Sequence, residues 1–303
     1  MPISFDMPAE GVATLDEVMD HFSSIDISDR DQLLAGSKVL RALANNRGFL
    51  ATRIAQELRN VVNLQEDNQY SAQVFFLGRG RNFFVRANFW PAADDPILRA
   101  SGPRSFFYGV PHDHNFDFLT VGYHGPGYVS DFYEYEFDKV AGYIGEKLDL
   151  RFVRREALPE GRVMLYRASV DIHEQLPPES FSISLNVVSD FKEQIATVNQ
   201  YMVDLSDHTI ESLGNRTSLP LICEVAGEIG DDECRELVAA LCERHPYPRG
   251  RYSAYAALAR LCPADSEGIW EKAAADGAPF VHVQAKMRLE EMARDARPGV
   301  RAA

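Results

Sequence analysis

Histidine is scarce in this 303-residue chain, eight in all, yet two stand one residue apart in PHDHNFDF, which runs from Pro111 to Phe118. On an extended segment, side chains two apart share a face, so His112 and His114 project together with Cα atoms about 6.6 Å apart. That geometry lets two imidazoles converge on one metal ion. Neutral imidazole suits Fe, Ni, Cu and Zn alike, so the ligand type does not choose among them. An HxH pair by itself also occurs in loops and as interior histidines held by hydrogen bonds. His173, in VDIHEQLPPESFSISLNVV, lies near the end of the same aromatic-rich region, where a later strand can bring a third imidazole across to the pair.

Neighbouring polar residues divide by strand parity. His124 shares parity with the pair but stands ten residues beyond His114. In an extended strand that separation is about 33 Å, so His124 is expected to be a turn residue in YHGPGY. Asp117 has the opposite parity and is expected to be solvated or to lie behind the ligands. Arg86 shares a face with Phe84 and Asn88, and a charge so placed needs a ligand carboxylate or a structural acid as partner. Ser182, Ser184 and Asn186 recur at period two after His173, and Tyr108, Tyr123, Tyr133 and Tyr135 offer pocket walls or a proton donor. Arg86, Tyr108, Ser184 and Asn186 are the candidate catalytic residues.

Three regions must position these groups. Residues 1–70 read as helical: Thr14 and Glu17 form a capping box ahead of Leu15, Val18, Met19 and Phe22. A second helix is expected over Leu50, Ile54, Leu58, Val61 and Val62, with Asp67 and Asn68 marking its exit. Residues 71–190 change to short runs rich in Phe, Tyr, Val and Ile. QVFFL, NFFVRANFW, RSFFYGV, FDFLTVGY, YVSDFYEYEF, LDLRFVRR, RVMLYRA and FSISLNVV give about eight antiparallel strands, as in a jelly roll or small barrel.

Residues 191–303 return to helical spacing: Ile222, Val225, Ala226, Ile229; then Cys234, Leu237, Val238, Leu241, Cys242; then Tyr255, Leu258, Ala259, Cys262. These loosely resemble HEAT-type helix pairs and are expected to provide structure or a homodimer contact. Cys223, Cys234, Cys242 and Cys262 read as small buried hydrophobes. His208, His245 and His282 are scattered and read as surface or helix-end residues.

An HxH segment followed by a third histidine about sixty residues later, inside a small β barrel, resembles the cupin superfamily. The first cupin motif continues to a glutamate, but here Phe118 and Leu119 occupy those positions, so the carboxylate ligand is missing. Within the superfamily, the three-histidine set resembles the cysteine dioxygenase group, and HDH followed by DIHEQLPPESFSISL is similar in order and spacing to its ligand-bearing segments. This chain departs from that group in two ways. Leu119 stands where vertebrate-type members carry a cysteine, and Ser184-Leu185-Asn186-Val187-Val188 keeps only the serine of their Ser-x-His-x-Tyr triad. The resemblance implies Fe(II), O2 and a small substrate, with an arginine from an early strand, Arg79, Arg81 or Arg86, pairing a substrate carboxylate.

The formal net charge of −14 disfavours a nucleic-acid partner, because phosphates would be repelled. No apolar run is long enough to span a bilayer, the start lacks the pattern of a secretory signal, and no CxxC occurs, so a cytoplasmic protein with free thiols is expected. The sequence therefore predicts an α+β protein with a mainly β, cupin-like barrel or jelly roll flanked by N-terminal helices and a C-terminal helical region. The expected function is a mononuclear non-haem iron oxygenase acting on a small polar, amino-acid-derived or carboxylate-bearing molecule. A Zn, Mn or Ni isomerase, lyase or hydrolase, a copper site, and a non-enzymatic metal-dependent binding protein are the alternatives.

Overall fold

Strict alternation governs the long strands: Phe83, Val85 and Ala87 face one way, and Phe84, Arg86 and Asn88 the other. In the computed structural model, which describes residues 3–295 except 60–63, 67, 69, 72, 215 and 216, this alternation builds a sheet with two differently clothed faces. Its strands are β1 (Ile3–Asp6), β2 (Val74–Gly80), β3 (Phe83–Trp90), β4 (Phe118–His124), β7 (Arg162–Tyr166) and β9 (Ser182–Ser189), in the order β1-β7-β4-β9-β3-β2. A three-stranded sheet holds β5 (Val129–Glu134), β6 (Arg151–Ala157) and β8 (Asp171–Leu176), with β5 central. Every ladder in both sheets is antiparallel.

One face of the large sheet packs under helices α1 (Leu15–Ser24), α2 (Arg30–Ala35), α3 (Ser37–Ala44) and α4 (Phe49–Leu58). Val18, Phe22, Leu33, Leu40, Leu43 and Leu50 meet Phe83, Val85, Leu119, Val121, Val163, Leu165, Leu185 and Val187 there. Each such side chain taken out of water contributes about 1.5–3 kcal/mol. Thr14 caps α1 as its sequence predicts: its hydroxyl accepts from the Glu17 N–H at 3.2 Å, and the Glu17 carboxylate accepts from the Thr14 N–H at 2.7 Å. The opposite face carries Phe84, Trp90, Phe118, Met164, Tyr166 and Val188, packed with Phe132 of the small sheet.

Several expectations are corrected. The strands do not close into a barrel: among the described residues the two sheets keep separate ladders. Isolated bridges, among them Tyr108 to Gln175 and His112 to His173, tie the loop before β4 onto β8. RSFFYGV is not a strand; Pro103–Phe106 forms a short 3-10 turn between α5 (Pro96–Ser101) and the loop, and Phe107 adopts φ +58. Proline's fixed φ and missing N–H favour this turn over a ladder. β1 and β8 are strands that the hydrophobic pattern did not single out, β8 because DIHEQL is mostly polar. Leu58 is exposed rather than packed. Val61, Val62 and Asp67 lie outside the described residues.

The chain forms two compact units: the first comprises Met1–Glu136, Asp149–Lys192 and Met202–Ser206, and the second Phe137–Leu148, Glu193–Tyr201 and Asp207–Ala303. After α6 (Lys192–Thr197), β10 (Gln200–Asp204) and β11 (Thr209–Gly214), the second unit is built on α7 (Leu219–Ile229), α8 (Asp232–Arg244), α9 (Pro248–Leu261), α10 (Ser266–Ala274) and α11 (Pro279–Asp295). The other four pack on α9. Their core includes Cys223, Cys242, Ala254, Tyr255, Trp270 and Val281, while Cys234 and Cys262 are half-buried. All four thiols are free. The inward face of α7 is Leu219, Cys223 and Ala226, so Ile222, Val225 and Ile229 point outward; apolar residues flank Glu224 and Glu228 on both sides, so the pattern does not mark a single inner stripe, and both acids pair with Arg260 of α9.

Candidate metal centre

His173 sits at the middle of β8, opposite Phe132 of β5. His112 belongs to no named strand, but it exchanges both backbone hydrogen bonds with His173, at 3.1 and 2.9 Å. His114 follows on the loop that leads into β4. The expectation of a continuous strand through the pair is thus reduced to isolated bridges at His112, to His173 and to Met202, and the first is enough to fix its register against β8. The outcome for the side chains is as expected: His112, His114 and His173 offer ring nitrogens that all lie within 4.8 Å of one another.

The rings are packed at centroid distances of 4.8 Å (112 to 114), 4.5 Å (112 to 173) and 5.0 Å (114 to 173). His114 Nε2 and His173 Nε2 are 3.0 Å apart. Two nitrogens bound at about 2.1 Å to one ion, at right angles, sit about 3 Å apart, so this pair already has the spacing of shared ligation. His112 and His173 are buried, and His114 is the least enclosed of the three.

Second contacts fix which nitrogen each ring presents. A carbonyl only accepts, so the 2.7 Å contact between His112 Nδ1 and the Val110 carbonyl makes Nδ1 the donor and leaves Nε2 for an ion. The Gln175 amide lies 3.0 Å from His173 Nδ1, and its Oε1 has no hydrogen-bond partner. Turning that amide over lets Oε1 accept from Nδ1–H, and His173 then presents Nε2. Gln175 is two residues from His173 on the same strand face, the parity signal by which the sequence could have revealed it.

Burial also keeps the His112 and His173 rings unprotonated. Desolvation pushes His112 down to about 4, only partly opposed by the Val110 carbonyl. His173 lies well below its ordinary value, through desolvation first and then the neighbouring His112. Neutral imidazole is the form that binds metal. Around the cluster stand aromatic rings: Phe118 edge-on to His114 at 5.1 Å, Tyr166 at 4.8 Å from His173, and Phe132 at 6.3 Å. Phe118 therefore lies against His114 at one of the positions where the cupin motif has its glutamate, and no carboxylate joins the cluster among the described residues.

The other sequence candidates fall at varied distances from this chemistry. Asp117 accepts from Arg30 and from the Ala168 N–H, and His124 is exposed at the far end of β4, so neither is a ligand. Tyr108 is buried with its hydroxyl donating to the Pro91 carbonyl at 3.0 Å, and burial pushes that hydroxyl's pKa up. Ser184 accepts from the Trp90 indole N–H at 3.0 Å. Arg86 and Asn186 are partners in the β3 and β9 ladder, and the Arg86 guanidinium lies over Tyr70 and Phe84. Arg79 pairs with Asp190, and Arg81 is exposed in the turn that follows β2.

No protein-family model matches the sequence, and no curated protein matches it. Solved structures that align with part of the chain include the salicylate 1,2-dioxygenase of Pseudaminobacter salicylatoxidans, at TM-score 0.27 and 8% identity over 46% of this chain and 33% of that one. The chain thus spans about a third of that enzyme's length. Hydroquinone 1,2-dioxygenase from Sphingomonas sp. TTNP3 aligns at TM-score 0.27 and 11% identity over 44% of this chain and 77% of its own. RmlC from Streptococcus suis aligns at TM-score 0.21 and 11% identity over 46% of this chain and 81% of its own.

Proposed function

We propose that the protein is a mononuclear non-haem iron(II) oxygenase that uses O2 on a small polar, amino-acid-derived or carboxylate-bearing molecule. The observation that carries this reading is the set of three imidazoles within 4.8 Å with no carboxylate among them. Three neutral ligands leave a divalent ion its full charge and open positions, a combination suited to an anionic substrate group beside dioxygen. When bound, iron(II) would activate dioxygen by one-electron exchange, chemistry that protein side chains alone do not provide, while the substrate supplies the electrons of its own oxidation.

The chain's own groups perform the rest. His112, His114 and His173 would hold the ion, and the Val110 carbonyl and Gln175 set the tautomers of the two buried rings. Phe116, Phe118, Phe132 and Tyr166 exclude water from the ligands' surroundings, which strengthens electrostatic interactions there. Arg86 pairs the substrate carboxylate through its planar donor fork, with Asn186 beside it on the next strand. Tyr108 and Ser184 act as wall residues, because their hydroxyls already bond Pro91 and Trp90.

Oxygen uptake by iron-loaded protein, measured against a panel of amino-acid-derived thiols, amines and hydroxy acids, tests this reading. Substrate-dependent uptake that disappears in His173→Ala is the expected result. Turnover without oxygen by protein holding stoichiometric zinc would assign it instead to redox-neutral chemistry.

The helical region is proposed as a homodimer contact, on the ground that Leu221, Ile222, Val225 and Ile229 form an outward apolar face on α7. A cytoplasmic setting fits the four free thiols. No helix among the described residues is long and apolar enough to cross a membrane.

A further inference from the structure

On the inner face of the large sheet, the aromatic pairing of Phe118 with Tyr166 is followed by a polar row. Thr120 of β4 and Arg86 of β3 both pair with Asn186 of β9, and Asn88 pairs with the adjoining Ser184. Alternation puts these side chains on the same face as Phe84, Phe118 and Tyr166, away from the helices. Thr120 is fully buried, and Asn186 and Asn88 are 2% and 7% exposed. Yet Thr120 Oγ1, Asn186 Nδ2 and Asn88 Oδ1 have no hydrogen-bond partner. Buried polar atoms are nearly always paired, and each orphan costs stability, so three on neighbouring strands call for a missing partner.

We propose that Thr120, Asn186 and Asn88 form a recognition row for an uncharged hydroxyl or carboxamide group of a small molecule bound between the sheets. The unpaired set mixes an amide N–H, a hydroxyl that both donates and accepts, and an amide oxygen that only accepts. A hydroxyl or carboxamide, each donor and acceptor at once, satisfies all three, whereas a carboxylate only accepts, has no proton for Asn88 Oδ1, and is left to Arg86. The row lies two residues along β4 from Phe118, whose ring meets His114, a separation of roughly 7 Å. That its ligand is the substrate rests on the oxygenase reading above; that the row binds such a group does not.

The test uses two matched neutral probes, lactamide and isobutyramide, which differ in a hydroxyl replaced by a methyl. They are titrated by ligand-observed NMR against the full chain, both metal-loaded and metal-stripped. Lactamide is expected to bind at least tenfold tighter than isobutyramide. Thr120→Val should abolish that difference and Thr120→Ser restore it, with metal content unchanged in each. Because the lone hydroxyl is unpaired without ligand, Thr120→Val should also leave the ligand-free Tm unchanged or raise it. Equal affinity for the two probes, binding of neither, or a lowered Tm in Thr120→Val would overturn the proposal, the last because the hydroxyl would then have a partner within the fold. Binding by metal-stripped protein separates this outcome from any failure of the oxygenase reading.

Discussion

At the scale of single residues, the cluster depends on keeping three imidazoles neutral and aimed. Losing Gln175 frees the His173 ring to rotate and to exchange tautomers. Gln175→Leu is therefore expected to weaken metal binding about 10- to 100-fold without changing the far-UV spectrum, as measured by competition with a chromophoric chelator. The lowered basicity of His112 has a consequence for stability as well. In metal-free protein its folded value of about 4 lies below the ordinary 6.5, so the unfolded chain binds the proton more readily. Stability is full above about pH 6.5 and falls as pH drops toward about 4, by roughly 3 kcal/mol from this residue. Denaturant titrations of metal-free protein between those limits should show the loss, and His112→Asn should flatten it. The convergence of the three histidines is legible because histidine is rare and HxH has a strand period. Gln175 and the Val110 carbonyl are not, since one is an ordinary polar residue and the other a backbone atom.

Elements carry the site through register. β4 passes close beneath the chain at Leu158 and Pro159, where a Cβ on Gly122 would collide with the Pro159 carbonyl. The obstacle is backbone, which has no rotamer to escape into. Gly122→Ala is thus expected to destabilise the fold by about 3 kcal/mol, measured by urea unfolding. At the other end of the scale, Thr14→Ala removes one cap of α1 and should cost about 1 kcal/mol. Thr14 and Glu17 announce their cap in the sequence, and most strands announce themselves by alternation. DIHEQL did not, because its inward residues are the polar groups that serve the site. RSFFYGV misled in the opposite direction, being apolar but broken by the proline-led turn before it. Isolated bridges tying the pre-β4 loop to β8 are a tertiary feature with no local signature, and strand alternation does not say whether two sheets close into a barrel.

For the whole molecule, the α7 face illustrates what periodicity leaves open: a helix with apolar residues on both sides of its two acids, Glu224 and Glu228, does not say which side faces its core. If the outward face joins two copies, sedimentation velocity should give a dimer that Val225→Glu converts to monomer; a wild-type monomer at micromolar concentration would remove that role. The account as a whole stands on one ion held by the first unit. Its most direct test is the metal content per chain of wild-type protein and His173→Ala, purified without added metal and analysed by inductively coupled plasma mass spectrometry. About one iron per wild-type chain, and almost none in the variant, is the predicted result. Wild-type protein that retains no transition metal after iron is supplied, or a variant that retains as much as wild type, would contradict it.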